Sequence, residues 1–213
     1  MKILILIATL IAGYLIGSVN VSVIVSKVAY KSDIRKHGSG NAGATNMARV
    51  YGLLGGIIVL IGDFGKCFLA MSIAKRVGGA LGEYCSLIAG AGCLIGHAFP
   101  LYFKFKGGKG VTVGSAIALM IDWRALLIVL GVFVLMFVIT RIVSISSIVA
   151  SASFVIVVVA FYAFQGTANL ITIYELMLSV FSAVTVIALH HSNIKRILDG
   201  TEKKFTYKKR EKK

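Results

Sequence analysis

Carboxylates are scarce in this chain: Asp and Glu together number 8 among 213 residues, against 23 Lys and Arg. Few acids are left for a paired-carboxylate acid–base site or an oxygen-rich metal cage. Pro100 is the single proline, so the long apolar stretches carry no built-in helix breaker. The three cysteines, Cys67, Cys85 and Cys93, fall in apolar segments and form no Cys-x-x-Cys pair. That argues against a disulfide framework or a zinc site and leaves small packing residues. No His-Glu-x-x-His occurs. The Gly107–Gly110 turn has the glycines and lysine of a phosphate loop but neither its spacing nor its following hydroxyl. Zincin and Walker A chemistry are excluded.

Apolar residues make up 58% of the chain and charged ones 15%, more apolar surface than a soluble domain of this length can hide. The expectation is an all-α polytopic membrane protein, 1–213 forming one integral-membrane domain. Hydropathy predicts spans over 3–25, 51–74, 83–99, 125–139, 144–164 and 174–189. A short segment, 111–121, has barely half the length needed to cross and is counted as the seventh; a five-span arrangement is the alternative. The first apolar run lacks a clear cleavage site and reads as a retained span. Gly13 and Gly17 have the spacing of a close helix contact. Asp63 and Lys66 share a helix face within the second span, where each charge alone costs roughly 2.5–3.5 kcal/mol, so a structural ion pair is expected, with a substrate contact as the alternative.

The formal net charge of +15 lies mainly in short loops and the C-terminal tail. Nucleic-acid binding is not the expected reading, because charge flanking spans is explained by orientation. Placing the loop after the first span in the cytoplasm gathers most of the Lys and Arg there. Only Lys2, Lys75, Arg76 and Arg124 then fall outside, with the N-terminus outside and the C-terminus cytoplasmic. The segment 203–213 is a basic tail, expected to be flexible.

Three polar islands interrupt the apolar pattern. The first, 31–49, holds Gly38, Gly40 and Gly43 in a turn suited to an anion nest, Ser39, Asn41, Thr45 and Asn46 as donors, and Arg35 and Arg49 as forks that suit phosphate. A solvated loop with a helix cap at Thr45 or Asn46 would share that composition. The second, 104–110, carries Lys106, Gly107, Gly108 and Lys109. The third, 190–202, places His190 and Asn193 on one helix face and runs to Glu202; His191 points elsewhere. The predicted topology puts all three at one membrane face, where they would form a site for one phosphate-bearing anion or two.

Asp33-Ile-Arg-Lys-His-Gly-Ser-Gly-Asn-Ala-Gly-Ala-Thr-Asn46 with Arg49, Gly96-His-Ala-Phe-Pro100 with the Lys104–Val111 run, and His190 with the Asn193–Glu202 run resemble three motifs. They are those of the bacterial acyl-phosphate:glycerol-3-phosphate acyltransferase family, and the likeness spans almost the whole chain. The His-x-x-x-x-Asp pair common in other glycerolipid acyltransferases is missing. The resemblance implies an inner-membrane enzyme with its active site at the cytoplasmic face. It would move an acyl group from acyl phosphate to the 1-hydroxyl of glycerol-3-phosphate, with no cofactor and no metal. It implies a membrane-lipid environment and a transient contact with the soluble enzyme that makes acyl phosphate. It assigns catalysis to Ser39, Arg49, Lys109, His190 and Asn193. Substrate or phosphate binding goes to Gly38, Gly40, Asn41, Thr45, Asn46, His97, Lys106, Gly107, Gly108 and Glu202. The proton acceptor is left open between His190 and the substrate's own phosphate. An organic-phosphate transporter is the competing class, disfavoured by the lack of an internal repeat and of polar groups at the midplane. A scaffold that binds lipid headgroups through basic loops is a third.

Overall fold

The structure, a computed structural model, describes residues 1–165 and 169–205. Within them all regular structure is helical, and six helical stretches are long and apolar enough to cross a membrane. The first is two helices, α1 (Lys2–Gly17) and α2 (Val21–Tyr30), broken at Ser18–Asn20. After α3 (Ala44–Tyr51) come α4 (Leu53–Val77), α5 (Gly82–Ala98), the short α6 (Val111–Ile121), α7 (Trp123–Thr140), α8 (Val143–Gln165), α9 (Leu170–Leu189) and α10 (His191–Leu198). The expected tail falls largely outside the described residues, which end at Phe205.

The six long stretches lie close to the hydropathy reading. The seventh expected crossing, α6, has 11 residues and so is about 16 Å long, roughly half of a ~30 Å hydrocarbon core. Asp122, just past its end, lines a cavity of about 150 Å³ with Phe161, Tyr162 and Glu175, at the far end from the islands. Its start is drawn inward: a Cβ at Gly110 would lie 2.6 Å from Leu94 Cδ1, about one turn below the end of α5. The preceding loop therefore covers part of the depth that the helix does not.

α5 is the central helix, with 12 of its 17 residues buried. α1 lies against it backbone to backbone. A Cβ on Gly13 or Gly17 would come within 2.5 or 2.2 Å of the Ala89 or Cys93 carbonyl oxygen, and one on Gly92 or Gly96 within 2.4 or 2.1 Å of Leu10 or Tyr14. Dispersion contact at this range substitutes for the hydrophobic drive that lipid cannot supply. The break after α1 leaves carbonyls without helical partners, which at this depth must be met by protein. The Val19 carbonyl accepts from Lys66 Nζ at 2.7 Å, and the Ser18 hydroxyl accepts from the Leu101 N–H at 3.2 Å. Hydropathy alone does not mark this break, because the flanking residues keep the run apolar; the local signal is Asn20, which caps α2 by accepting from the Val23 N–H.

Gly96→Ala should therefore push α1 off α5 and cost about 1–3 kcal/mol, read as a lower Tm in detergent. Gly131→Ala on α7, where nothing lies within 4 Å of the added methyl, should leave the Tm unchanged or raise it.

Candidate functional site

The first island is knotted by Asn46, which is 1% exposed. Its amide nitrogen donates to the carbonyls of His37 (3.0 Å) and Asn41 (3.0 Å), with Ile34 at 3.4 Å, and its oxygen accepts from the Ser39 N–H at 2.9 Å. Gly38 sits at φ +62°, and a Cβ there would fall 2.2 Å from that amide oxygen, so the knot requires glycine. The cap of α3 is Gly43, not Thr45 or Asn46. Asn46 thus organises the loop through the Ser39 N–H, and no hydrogen bond within the loop takes the Ser39 hydroxyl.

Arg35 does not serve as the free phosphate fork expected from its residue type. Asp33 takes two of its guanidinium nitrogens, at 3.0 and 2.8 Å, and a third donates to the carbonyls of Phe103 (2.8 Å) and Lys106 (3.3 Å). The paired guanidinium lowers the Asp33 carboxyl to about 2. Arg35 is a bolt between the first two islands. Arg49, by contrast, is exposed and pairs with no carboxylate among the described residues.

In the second island the glycines pack against the end of α5. A Cβ on Gly107 would meet the His97 carbonyl oxygen at 2.0 Å, and one on Gly108 the His97 ring at 2.2 Å; the Gly108 N–H donates to the His97 carbonyl at 3.1 Å. This packing turns the chain so that Lys109 points inward, where its ammonium donates to Asn193 Oδ1. Asn193 donates in turn to Glu202 Oε1 at 2.6 Å. Glu202 also accepts from Ser144 at 2.7 Å through the same oxygen and from Arg196 at 2.6 Å through the other. Glu202, expected among the phosphate-binding residues, has both oxygens engaged in holding this chain. Burial lowers Lys109 to about 8, with Arg49 and Arg196 pushing the same way and Glu202 opposing. His190 caps α9 and donates from Nδ1 to the Val186 carbonyl at 2.7 Å, so Nε2 carries the free lone pair. Burial lowers this ring to about 4, which leaves it neutral near pH 7.

These groups line one cavity of about 690 Å³. Its polar end gathers Gly38, Ser39, Asn41, Thr45, Asn46, Arg49, His97, Lys109, His190, Asn193 and Glu202. The first turns of α3, α6 and α10 reach its wall through Thr45, Thr112 and Asn193, so unpaired N–H groups and the positive ends of three helices favour an anion there. Gly40, Lys106, Gly107 and Gly108 do not line it. Gly40 shapes the turn at φ +74°, Lys106 contributes its carbonyl to Arg35, and the two Gly-Gly residues seat the loop. The other half of the cavity is apolar, with Leu60 and Phe64 of α4, Leu130 and Phe133 of α7, and Phe154 of α8. Sequence reasoning missed Ser144, Arg196 and Asp63 in this wall. Ser144 carries no signal in a serine-sprinkled span, whereas Asp63 is visible in the sequence, where the ion-pair role is favoured over a substrate contact. No group of three or more His, Cys, Asp or Glu capable of holding a metal occurs among the described residues.

A family model described as Glycerol-3-phosphate acyltransferase matches residues 7–200. Glycerol-3-phosphate acyltransferase 2 of Bacillus anthracis is 39% identical over 202 residues, covering 93% of this chain and 98% of that one. The crystal structure of PlsY (YgiH), an integral membrane glycerol 3-phosphate acyltransferase, in its glycerol 3-phosphate form superposes with a TM-score of 0.83 at 30% identity. It covers 94% of this chain and 96% of that one. The lysophosphatidic acid form of PlsY gives a TM-score of 0.80 at 29% identity, over 95% and 96%.

Lys109 is charged below about pH 8 and loses its charge as pH rises through that value. If the cation is needed, kcat/KM should fall above about pH 8, and this limb should move to higher pH in Lys109→Arg, which stays protonated. A limb unmoved by that substitution would exclude Lys109 as its source.

Proposed function

The chain belongs to the glycerol-3-phosphate acyltransferase family, and from that premise we propose that it acylates the 1-hydroxyl of glycerol-3-phosphate using acyl phosphate. The products are lysophosphatidic acid and inorganic phosphate. The observation that carries this reading is the division of one cavity. Arg49, Lys109 and three helix starts form a cationic end, and side chains of α4, α7 and α8 form an apolar end. That division matches a donor with a phosphate head and a hydrocarbon chain, and an acceptor with a second phosphate. Two like-charged groups must be brought together there, and fixed positive charge is what permits it.

In the step itself the glycerol 1-oxygen attacks the acyl carbonyl carbon. The carbonyl carbon–oxygen bond to phosphate breaks, and phosphate leaves with the bonding pair. Arg49 grips a phosphate with two parallel hydrogen bonds, and Lys109, steered by Asn193, neutralises charge that builds on the leaving oxygen. Ser39 supplies a hydroxyl donor from the knotted loop. His190 Nε2 accepts the hydrogen bond of the attacking hydroxyl. With its pKa near 4 it orients that hydroxyl more than it removes the proton in advance, and the departing phosphate is the stronger base.

In this reading the membrane is the bacterial inner membrane; the Lys/Arg distribution supports a cytoplasmic island end and an outside N-terminus, with α6 as a seventh crossing. The exposed mouth then meets donor delivered by a soluble acyl-phosphate-making enzyme through a transient contact. Transport is the weaker reading, because the polar groups collect at one end of the bundle.

Purified protein in detergent should release phosphate from a long-chain acyl phosphate only when glycerol-3-phosphate is present; equal turnover with acyl-CoA would overturn the donor assignment. Arg49→Lys keeps the charge but loses the fork, and Ser39→Ala loses a donor. Each should lower kcat/KM by about 10²–10³ in folded protein. For the topology, single cysteines are placed at Ser32 or Arg76 in a chain whose Cys67, Cys85 and Cys93 are alanine. In intact cells an impermeant thiol reagent should label only the Arg76→Cys protein, and the opposite pattern would invert the orientation.

A further inference from the structure

Two carboxylates line the cavity, Asp63 and Glu202. Glu202 is engaged on both oxygens. Asp63, 2% exposed on α4, is not. Its Oδ1 is ion-paired with Lys66 Nζ at 2.9 Å and lies 3.6 Å from His97 Nδ1, while its Oδ2 accepts no hydrogen bond among the described residues. The geometry explains why. Lys66 directs hydrogens to the Val19 carbonyl at 2.7 Å and to His97 Nδ1 at 3.2 Å. An ammonium only donates, so His97 Nδ1 must accept, the ring proton sits on Nε2, and Nδ1 has nothing to offer Asp63. With its three hydrogens spent on Val19, His97 and Asp63 Oδ1, Lys66 balances the charge but leaves Oδ2 as spare acceptor capacity at a cavity wall, which a ligand hydroxyl can fill.

The rest of the polar end consists mostly of donors: Arg49, Lys109, Ser39, Thr45 and helix N–H groups. Asn41 and the hydroxyls can also accept, but His190 Nε2 and the Asp63 carboxylate are the strongest free acceptors in the lining. Of the two substrates, acyl phosphate carries no hydroxyl, and glycerol-3-phosphate carries two. His190 stands beside Lys109 and Asn193, where the acyl transfer is placed, and takes the reacting hydroxyl. We infer that Asp63 accepts a hydrogen bond from the other, non-reacting 2-hydroxyl, and so selects glycerol-3-phosphate over acceptors with no hydroxyl at that carbon. Asp63 is then a specificity residue of the cavity as well as the partner of Lys66. This inference rests on the acceptor proposed above.

The test uses purified protein in detergent, acyl phosphate as donor, and three acceptors: glycerol-3-phosphate, 3-hydroxypropyl phosphate, which lacks the 2-hydroxyl, and dihydroxyacetone phosphate, which has a carbonyl there. Wild type should prefer glycerol-3-phosphate over the deoxy compound by about 10²-fold or more in kcat/KM. Dihydroxyacetone phosphate should be poorer than the deoxy compound, because its carbonyl oxygen faces a carboxylate. Asp63→Asn should shrink the preference. The double variant Asp63→Val with Lys66→Met, which removes both charges and leaves no lone ion buried, should reduce it below about 10-fold by losing activity on glycerol-3-phosphate alone. Equal use of glycerol-3-phosphate and the deoxy compound by wild type, or better use of dihydroxyacetone phosphate than of the deoxy compound, overturns the inference whether or not a variant folds. An equal loss on both acceptors in a folded variant also overturns it, since that is the signature of a general base or a purely structural pair. Absence of turnover with every acceptor would instead defeat the proposed reaction.

Discussion

A buried ammonium held open toward a cavity is the interaction on which the island end depends. Lys109 sits where burial disfavours its charge, and Asn193 and Glu202 keep it both charged and aimed. Asn193 can take this role only because Glu202 fixes which way its amide faces. Glu202 is fixed in turn by Ser144 and Arg196, which belong to different helices. The α6 helix is short for a related reason. The turn that delivers Lys109 is seated on His97 below the helix ends, and α6 starts from that depth. Helix length, loop path and site charge answer to one constraint.

The loops are irregular, and irregular backbone next to lipid must be satisfied within the protein. Two side chains do most of this. Asn46 serves the first island as an internal scaffold, and Arg35 ties that island to the second through the Phe103 and Lys106 carbonyls. Both are polar residues in a motif, and both could have been substrate ligands by type. Their partners, not their chemistry, decide that they hold the site together.

Much of this could be read from residues alone. Six long spans stand out because their apolar runs approach or exceed the crossing length, and the Gly13/Gly17 spacing marked a close helix contact, which is made with α5. The islands stand out as polar stretches against an apolar background, and the cavity gathers residues from all three. Other features depend on long-range partners that no local pattern reports. The break at Ser18–Asn20 is stabilised by Lys66 and by the Leu101 N–H, 47 and 83 residues away respectively. Gly40, Lys106, Gly107 and Gly108 have the composition of an anion nest but do not line the cavity, and the two glycines of the second island pack on the end of α5. Ser144 is a small residue in an apolar helix until Glu202 folds back to meet it.

The interruption in the first span also bears on how the chain is made. A helix that enters the bilayer with a broken ladder carries a carbonyl with no donor, and hydrocarbon supplies none. The ammonium that serves Val19 is encoded in the second span, and the amide that serves Ser18 lies beyond the third. The first span is therefore incomplete as it emerges. It becomes a settled membrane helix only once two later spans have been synthesised and have packed beside it, so its early lifetime belongs near the insertion machinery or at the water interface.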